Sequence, residues 1–258
     1  MSTIINKGCG KEIEDLILHA NRYVFLVVPS LDEYFAEKLV NLAKNGVDVK
    51  IITQNVSTNK GYEFIIKSIM DYRKSELEES YNIYRQTLSD YNILRSLEIL
   101  LPVLGALVSL LFYILGRYVA SYFYIGIPVT IALIIASFYK TYSNLKSKTS
   151  SLSLLSENYR RLLEEIKHER ELLVSRLNVI GVNEKYFSAR LIIVDGVSKL
   201  FSMNLTKEEI NESLGFVSDL PLEIAEREFS ILWALYEKYK FQLSDNLGIK
   251  FLIKERTR

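Results

Sequence analysis

The chain has 258 residues, 49% of them hydrophobic, and its 32 basic and 31 acidic residues leave a net charge of +1. This composition excludes a disordered chain and a protein that binds polyanions by net charge alone, and the length allows one or two domains. The single cysteine, Cys9, excludes an intramolecular disulfide and a multi-cysteine metal site. Only two histidines, His19 and His168, are available for acid–base or metal chemistry, and we predict no metal and no cofactor.

The first 60 residues alternate between helical and strand patterns. Residues 11–21 predict a short helix, and YVFLVVP at 23–29 predicts a buried strand. An amphipathic helix is predicted over 31–46, ending at Gly46, and VDVKIITQ at 47–54 is the next strand. Two strands cannot form a core, so they must pair with strands from elsewhere in the chain.

Two long apolar segments lie in the middle of the chain. Leu97 to Leu115 carries a single charge, Glu98, and Tyr118 to Tyr139 carries none. Each is about as long as the roughly 20 residues that cross a bilayer core of about 30 Å. Because only Gly116 and Arg117 separate them, we predict two transmembrane helices joined by a tight turn on the far side of the membrane.

Basic residues flank both ends of the hairpin, whereas its tip contains Arg117 alone. The positive-inside rule then places both flanks and both termini in the cytoplasm of a two-pass cell-membrane protein. Two alternatives remain open from the sequence. The hairpin is either buried inside a soluble domain or enters one leaflet and returns, as Pro102 and Pro128 would allow.

The flanks of the hairpin have helical periodicity, with apolar residues at three- and four-residue steps over 62–95 and 140–177. A hairpin makes its flanks antiparallel, so we predict a two-stranded coiled stalk of about 45 to 55 Å, at about 1.5 Å per residue. The alternative is two helices packed against the terminal domain.

After the stalk, strands are predicted at LNVIGV (177–182), SARLIIVDG (188–196), KLFSMN (199–204) and SLGFVSD (213–219), followed by a helix over 222–240. We expect the two chain ends to form one α/β sandwich. The predicted organisation has five parts: residues 1–60, first half of this domain; 61–95, stalk helix; 96–139, membrane hairpin; 140–177, returning stalk helix; and 178–258, second half of the domain.

Polar residues interrupt the apolar stretch YFSARLIIVDGVSKLFSMN, and the order of segments resembles the phospholipase D superfamily. That family has A-x-x-G-V-x-V-x-I, then H-x-K-x-x-x-x-D, G-S-x-N, N-x-E-x-G and F-x-x-x-W. Here AKNGVDVKII, SARLIIVD, FSMN, NESLG and FSILW stand in that order. The resemblance covers about 110 residues, 11–55 and 177–240, and its matching positions are Asp195, Ser202, Asn204, Asn211, Gly215 and Trp233.

Carried over residue by residue, the resemblance places the family's nucleophilic histidine at Ser188 and its lysine at Arg190. Its aspartate falls on Asp195, its phosphate-pocket serine and asparagine on Ser202 and Asn204. The glycine before that serine becomes Phe201, and the later glutamate becomes Ser213. A serine hydroxyl forms no phosphoryl intermediate without an adjacent base, whereas arginine still binds phosphate. The resemblance therefore implies a phosphate-binding pocket of Arg190, Ser202 and Asn204 without its nucleophile.

Each of these residues also has a plain structural interpretation. Arg190, Ser202 and Asn204 would equally make a satisfied polar network at a strand end. Asp195 before Gly196 is an ordinary turn signal. Both histidines are better explained as packing or surface residues of helices.

Three functions are then open. We favour a catalytically inactive, phospholipase D-like membrane protein that binds a phosphate-bearing ligand, such as a lipid headgroup or nucleic acid, or a protein partner. Single-motif members of the family pair into dimers, so the resemblance also implies a homodimer. The alternatives are an active phosphodiesterase that uses Ser188 or His19, and a purely structural membrane scaffold.

Overall fold

The computed structural model describes residues 3–184 and 187–242. The chain divides into two compact units: Met1–Tyr72 with Lys167–Arg258, and Arg73–Ile166. The elements follow in this order: β1 (Thr3–Lys7), α1 (Lys11–Leu18), β2 (Tyr23–Val27), α2 (Glu33–Lys44), β3 (Asp48–Gln54), α3 (Lys60–Met70), α4 (Lys74–Tyr118), α5 (Gly126–Arg176), β4 (Leu177–Val182), β5 (Leu191–Val194), β6 (Val197–Phe201), α6 (Lys207–Glu212), β7 (Leu214–Asp219) and α7 (Leu222–Tyr236).

The first unit is built on one seven-stranded sheet, in the order β1-β7-β6-β5-β2-β3-β4. Strands β2, β3 and β4 are parallel, and every other pairing is antiparallel. The two chain ends meet at three strand pairings: β1 with β7, β2 with β5, and β3 with β4. The prediction of a mixed α/β fold assembled from both ends is therefore confirmed.

Two apolar clusters cover the two faces of the sheet. Helices α1, α2 and α3 pack on one face, and their buried side chains include Ile17, Leu39 and Ile65. Helix α7 packs on the other face, where Phe229 stacks on Phe25 with ring centroids 5.0 Å apart. The central strands are buried on both faces, which explains why they read as continuous apolar runs in the sequence.

Helix α3 begins at a buried polar residue that ties three segments together. Asn59 is 1% exposed, and its side-chain oxygen accepts from the backbone N–H groups of Leu31 and Tyr62. Its amide nitrogen donates to the hydroxyl of Thr53 at 2.8 Å and to the carbonyl of Gln54 at 2.7 Å.

The prediction of a single helix over 62–95 is wrong. Helix α3 ends at Met70 and packs against α2, and a separate helix, α4, follows it.

The break between α3 and α4 has a backbone cause. Arg73 precedes α4 with a φ of 48°, in the left-handed region that an α-helix cannot contain. Its guanidinium donates to Glu76 and to Glu165. These contacts stabilise the start of α4.

The second unit is an antiparallel pair formed by α4 and α5. Contacts join the two helices along their length, each step forward in α4 matching a step back in α5: Arg73 with Glu165, Tyr81 with Tyr159, Asp90 with Lys148, Gly105 with Ile134, and Phe112 with Gly126. Pro102 lies within α4 and Pro128 in the first turn of α5, where its missing N–H is unneeded. Neither proline interrupts its helix.

The turn of the hairpin lies beyond the position predicted for it. Gly116 and Arg117 are helical, and the turn falls at residues 119–125, which include a 3₁₀ segment from Ser121 to Ile125. Gly116 has a packing role instead, because a Cβ there would come within 2.8 Å of the Tyr124 ring. The second predicted segment accordingly begins as a helix at Gly126, and not at Tyr118.

Both long helices contain stretches that are long and apolar enough to cross a membrane. In the most apolar window of each helix, 11% and 0% of the residues are buried. The exposed side chains include Ile99, Leu107, Leu133 and Ile135. This exposure contradicts the alternative in which the hairpin is the buried core of a soluble domain.

Candidate functional site

Four of the predicted site residues lie at one edge of the sheet. Ser188 and Arg190 precede β5, and Ser202 and Asn204 follow β6, so they lie in loops and not within the longer strands predicted from the sequence. β5 is antiparallel to β2, so the amino end of β5 lies beside the carboxyl end of β2. This edge therefore also carries the carboxyl ends of the parallel strands β2, β3 and β4. Carboxyl ends of parallel strands are the usual place for ligand sites in α/β proteins.

Arg190 and Asn204 are the pair that the structure brings together. One Nη of Arg190 donates to the Asn204 side-chain oxygen at 3.4 Å, and the other donates to the Ser188 carbonyl at 3.1 Å. The Nε of Arg190 is buried and finds no hydrogen-bond partner among the described residues. A guanidinium has five N–H groups, so this one retains donors beyond its two intramolecular bonds.

Glu209, which the sequence analysis missed, completes this network. Its carboxylate accepts from the Asn204 backbone N–H at 2.6 Å and from the Asn204 side-chain nitrogen at 2.9 Å. Thr206 caps α6 by accepting from the Glu209 N–H at 3.2 Å. The pattern Thr-x-x-Glu was the available signal, since it marks the start of a helix.

Ser202 has a structural contact of its own. Its hydroxyl accepts from the backbone N–H of Phe216 at 2.9 Å, continuing the connection between β6 and β7 beyond the regular ladder. A Cβ at Gly215 would lie 2.9 Å from that hydroxyl oxygen and 2.6 Å from the end of Met203. Glycine at 215 therefore lets the hydroxyl of Ser202 approach β7.

Asp195 lies at the opposite end of β5 from Arg190, about 16 Å away at about 3.3 Å per residue. With Gly196 it forms the two-residue turn to β6, both residues having positive φ. Its carboxylate accepts from the N–H groups of Asn21, Arg22 and Tyr23 at 2.7 to 2.9 Å. Partial burial opposes ionisation, but these N–H groups outweigh it and lower the pKa of Asp195.

The two histidines also lie away from Ser188. His19 directly follows α1, and its ring nitrogen Nδ1 lies 2.8 Å from the Asp15 carbonyl oxygen. The chain then enters the amino end of β2, which is the end that contacts Asp195. His168 lies in α5 shortly before the amino end of β4. Since β2 and β4 run in the same direction, both histidines belong to the edge opposite the candidate site.

No model of a known protein family matches the chain, and no curated protein matches it. Among solved structures, one that is similar is a phospholipase D family member, Nuc from Salmonella typhimurium. It has 11% sequence identity and a TM-score of 0.41, with 95% of this chain and 99% of that chain covered.

The other positions carried over from the resemblance lie apart from the Arg190–Asn204 pair or serve packing. The Asn211 side chain donates to the Lys207 carbonyl within α6, and Ser213 ends that helix. Trp233 stacks on Phe229 with ring centroids 5.6 Å apart. Within the described part of the chain, no group of three or more His, Cys, Asp or Glu side chains is arranged to hold a metal ion.

Proposed function

We propose that this protein is a membrane-anchored, phospholipase D-like protein that lacks phosphodiesterase activity and binds a phosphate group at the cytoplasmic membrane surface. The observation that carries the proposal is the half-buried Arg190, which its bonds to Asn204 and to the Ser188 carbonyl hold at the carboxyl edge of the sheet. Guanidinium groups bind phosphate through paired N–H donors. Each Nη of Arg190 has a second N–H that these bonds do not use, and a phosphate oxygen would accept from it.

The chemistry of the edge supports binding without hydrolysis. Both histidines belong to the other edge of the sheet, so neither is placed to form a phosphoryl intermediate or to activate Ser188, and the Glu209 carboxylate at this edge is bonded to Asn204. The Ser188 side chain is exposed, and its carbonyl oxygen holds Arg190. Ser188 thus contributes to the position of the guanidinium.

The membrane part of the proposal is supported by the two long helices. Their apolar surfaces are exposed, neither proline interrupts them, and the turn at residues 119–125 contains no charged residue. The basic residues at the other ends of the spans favour a cytoplasmic location for both termini. The homodimer implied by the resemblance remains a prediction.

Phosphate binding is tested by isothermal titration of the full chain in detergent with inorganic phosphate. Arg190→Ala is expected to weaken binding at least tenfold, because it removes the charge and every free donor; tenfold corresponds to about 1.4 kcal/mol. Arg22→Ala is the matched control, since Arg22 is an exposed arginine at the opposite edge. Equal losses in both variants would show a general charge effect and reject the site.

Loss of catalysis is tested with bis-p-nitrophenyl phosphate as a generic diester. We expect no turnover above the rate without protein. Turnover that disappears in Ser188→Ala would overturn the proposal in favour of an enzyme with a serine nucleophile.

Membrane topology is tested in a Cys9→Ser background with one new cysteine at Ser121, in the turn. A full span predicts that a membrane-impermeant maleimide labels Ser121→Cys from outside intact cells, whereas Ser156→Cys, on the returning flank, reacts only after permeabilisation. Labelling of neither site before permeabilisation would favour the shallow hairpin. Extraction of the chain by alkaline carbonate would reject membrane anchoring altogether.

A further inference from the structure

One end of the candidate phosphate site already contains an anion, the carboxylate of Glu209. Its two oxygens take separate donors from one residue, the backbone N–H of Asn204 at 2.6 Å and the side-chain nitrogen at 2.9 Å. Two converging N–H donors are what a phosphate oxygen pair would use at this place. Arg190 approaches the same asparagine from the other side, through its Oδ1 at 3.4 Å.

This position of Glu209 is unusual for a residue at the start of a helix. In a capping box, the glutamate three residues after the cap accepts from the backbone N–H of the capping residue itself. Here Thr206 is the cap, but Glu209 accepts instead from Asn204, two residues earlier. The Thr206 hydroxyl still accepts from the Glu209 N–H, so the helix end is satisfied without the glutamate side chain.

We propose that Glu209 is a built-in competitor for the phosphate group, and that the ligand must displace its carboxylate from Asn204 to bind fully. This inference rests on the proposed phosphate site. An anion held by Arg190 would lie close to the Glu209 carboxylate, and like charges in a partly buried site repel. Glu209 is half-buried, and its neighbours Glu208, Asn211 and Glu212 on α6 are exposed, so the displacement in this proposal is a rotation of the Glu209 side chain towards solvent.

The test compares two neutralising substitutions on the same helix. Glu209→Gln keeps the size of the side chain and removes its charge, while Glu208→Gln makes the same charge change at an exposed neighbour. The dissociation constant of inorganic phosphate is measured by titration calorimetry on the full chain in detergent. We expect Glu209→Gln to bind about tenfold more tightly, equivalent to about 1.4 kcal/mol of relieved repulsion, and Glu208→Gln to stay within about twofold of the wild type.

Two further variants keep the test decisive. Glu209→Ala also removes the charge and replaces Glu209→Gln if the glutamine variant fails to fold, as judged from Trp233 fluorescence. Adding Arg190→Ala to Glu209→Gln should abolish the gained affinity, which assigns it to this site.

The outcomes separate this inference from the proposed function. If phosphate binding depends on Arg190 but Glu209→Gln does not strengthen it, the phosphate site stands and the competitor role is refuted. An equal gain in Glu208→Gln also refutes the competitor role, because it shows a general charge effect. If none of the variants binds phosphate, the proposed function fails, and the inference fails with it.

Discussion

Asp195 matches a motif position in sequence, but its contacts are those of a structural anchor. Its carboxylate holds three consecutive backbone N–H groups at the start of β2, more than 170 residues earlier in the chain. We predict that Asp195→Gly destabilises the α/β unit without weakening phosphate binding. Glycine is chosen because it tolerates the φ of 49° at this position, so the substitution removes the carboxylate without adding backbone strain.

The magnitude follows from the three hydrogen bonds. A hydrogen bond to a charged group contributes about 1.5 to 3 kcal/mol. Asn21 and Arg22 are exposed, so water replaces part of two of these bonds, and we expect a total loss of about 2 to 3 kcal/mol. For a unit of this size, each kcal/mol lowers the melting temperature by about 2 to 4 °C, which gives a decrease of about 4 to 12 °C.

The assay is thermal unfolding of the full chain in detergent, followed by the fluorescence of Trp233, the single tryptophan. The control is Asp15→Asn, which neutralises an exposed carboxylate of α1. Asp48→Gly would not serve as a control, because Asp48 lies in β3. A melting temperature of Asp195→Gly within about 1 °C of the wild type, together with a loss of phosphate affinity like that of Arg190→Ala, would refute the anchoring role.

The pH dependence of this effect has a definite sign. The pKa of Asp195 is lowered in the folded protein, because the three N–H groups outweigh the effect of partial burial. Its stabilisation is therefore complete above the unfolded pKa of about 3.9 and disappears as the pH falls through the lower folded value. The difference in melting temperature between wild type and Asp195→Gly should be constant between about pH 5 and 7 and shrink below about pH 4.

Two further predictions concern packing. Asn59→Ala should lower the free energy of unfolding by about 3 kcal/mol or more, because it leaves several buried backbone groups without partners. The control, Asn55→Ala at an exposed position, should change it by less than about 0.5 kcal/mol. Denaturant titration monitored by Trp233 fluorescence measures both variants, and equal effects would contradict the role of Asn59. Gly105→Ile should separate α4 from α5, since a Cβ at 105 would collide with the Ile134 side chain. The control is Ala106→Ile, at an exposed position of the same helix. On a detergent gel the two variants should differ in mobility, and equal mobilities would contradict the packing of Gly105 on Ile134.

The long helices show how far local pattern carries a prediction. Their apolar length and helical periodicity are properties of consecutive residues, so the sequence predicts two long antiparallel helices with apolar stretches. The turn predicted at Gly116 and Arg117 lies at residues 119–125 in the structure. A glycine between two apolar segments predicts a turn, whereas Gly116 lies within α4 and provides the space in which Tyr124 packs. The separation of α3 from α4 was also missed, since Asn59 and Arg73 act through contacts with residues distant in sequence.

The candidate site shows a similar division. Motif spacing singled out Arg190 and Asn204, and the structure places them in hydrogen-bond contact. It did not reveal Glu209, because the Thr-x-x-Glu pattern marks only the start of a helix and does not show that the carboxylate contacts Asn204. Ser202 was predicted to line the same pocket, but the contact that the structure shows for its hydroxyl is with β7.

The sequence by itself predicted six of the seven strands that the structure describes, missing only β1, and it predicted the apolar stretches of the two long helices. It also determined that the two chain ends must combine, because neither end has enough strands to bury a core. Only the tertiary structure decided which edge of the sheet each polar residue occupies. That choice depends on the direction and register of strands paired across more than 120 residues, such as β3 with β4, and no local pattern encodes it. The same pairing places Arg190, Asn204 and Glu209 at one edge and Asp195 and His19 at the other.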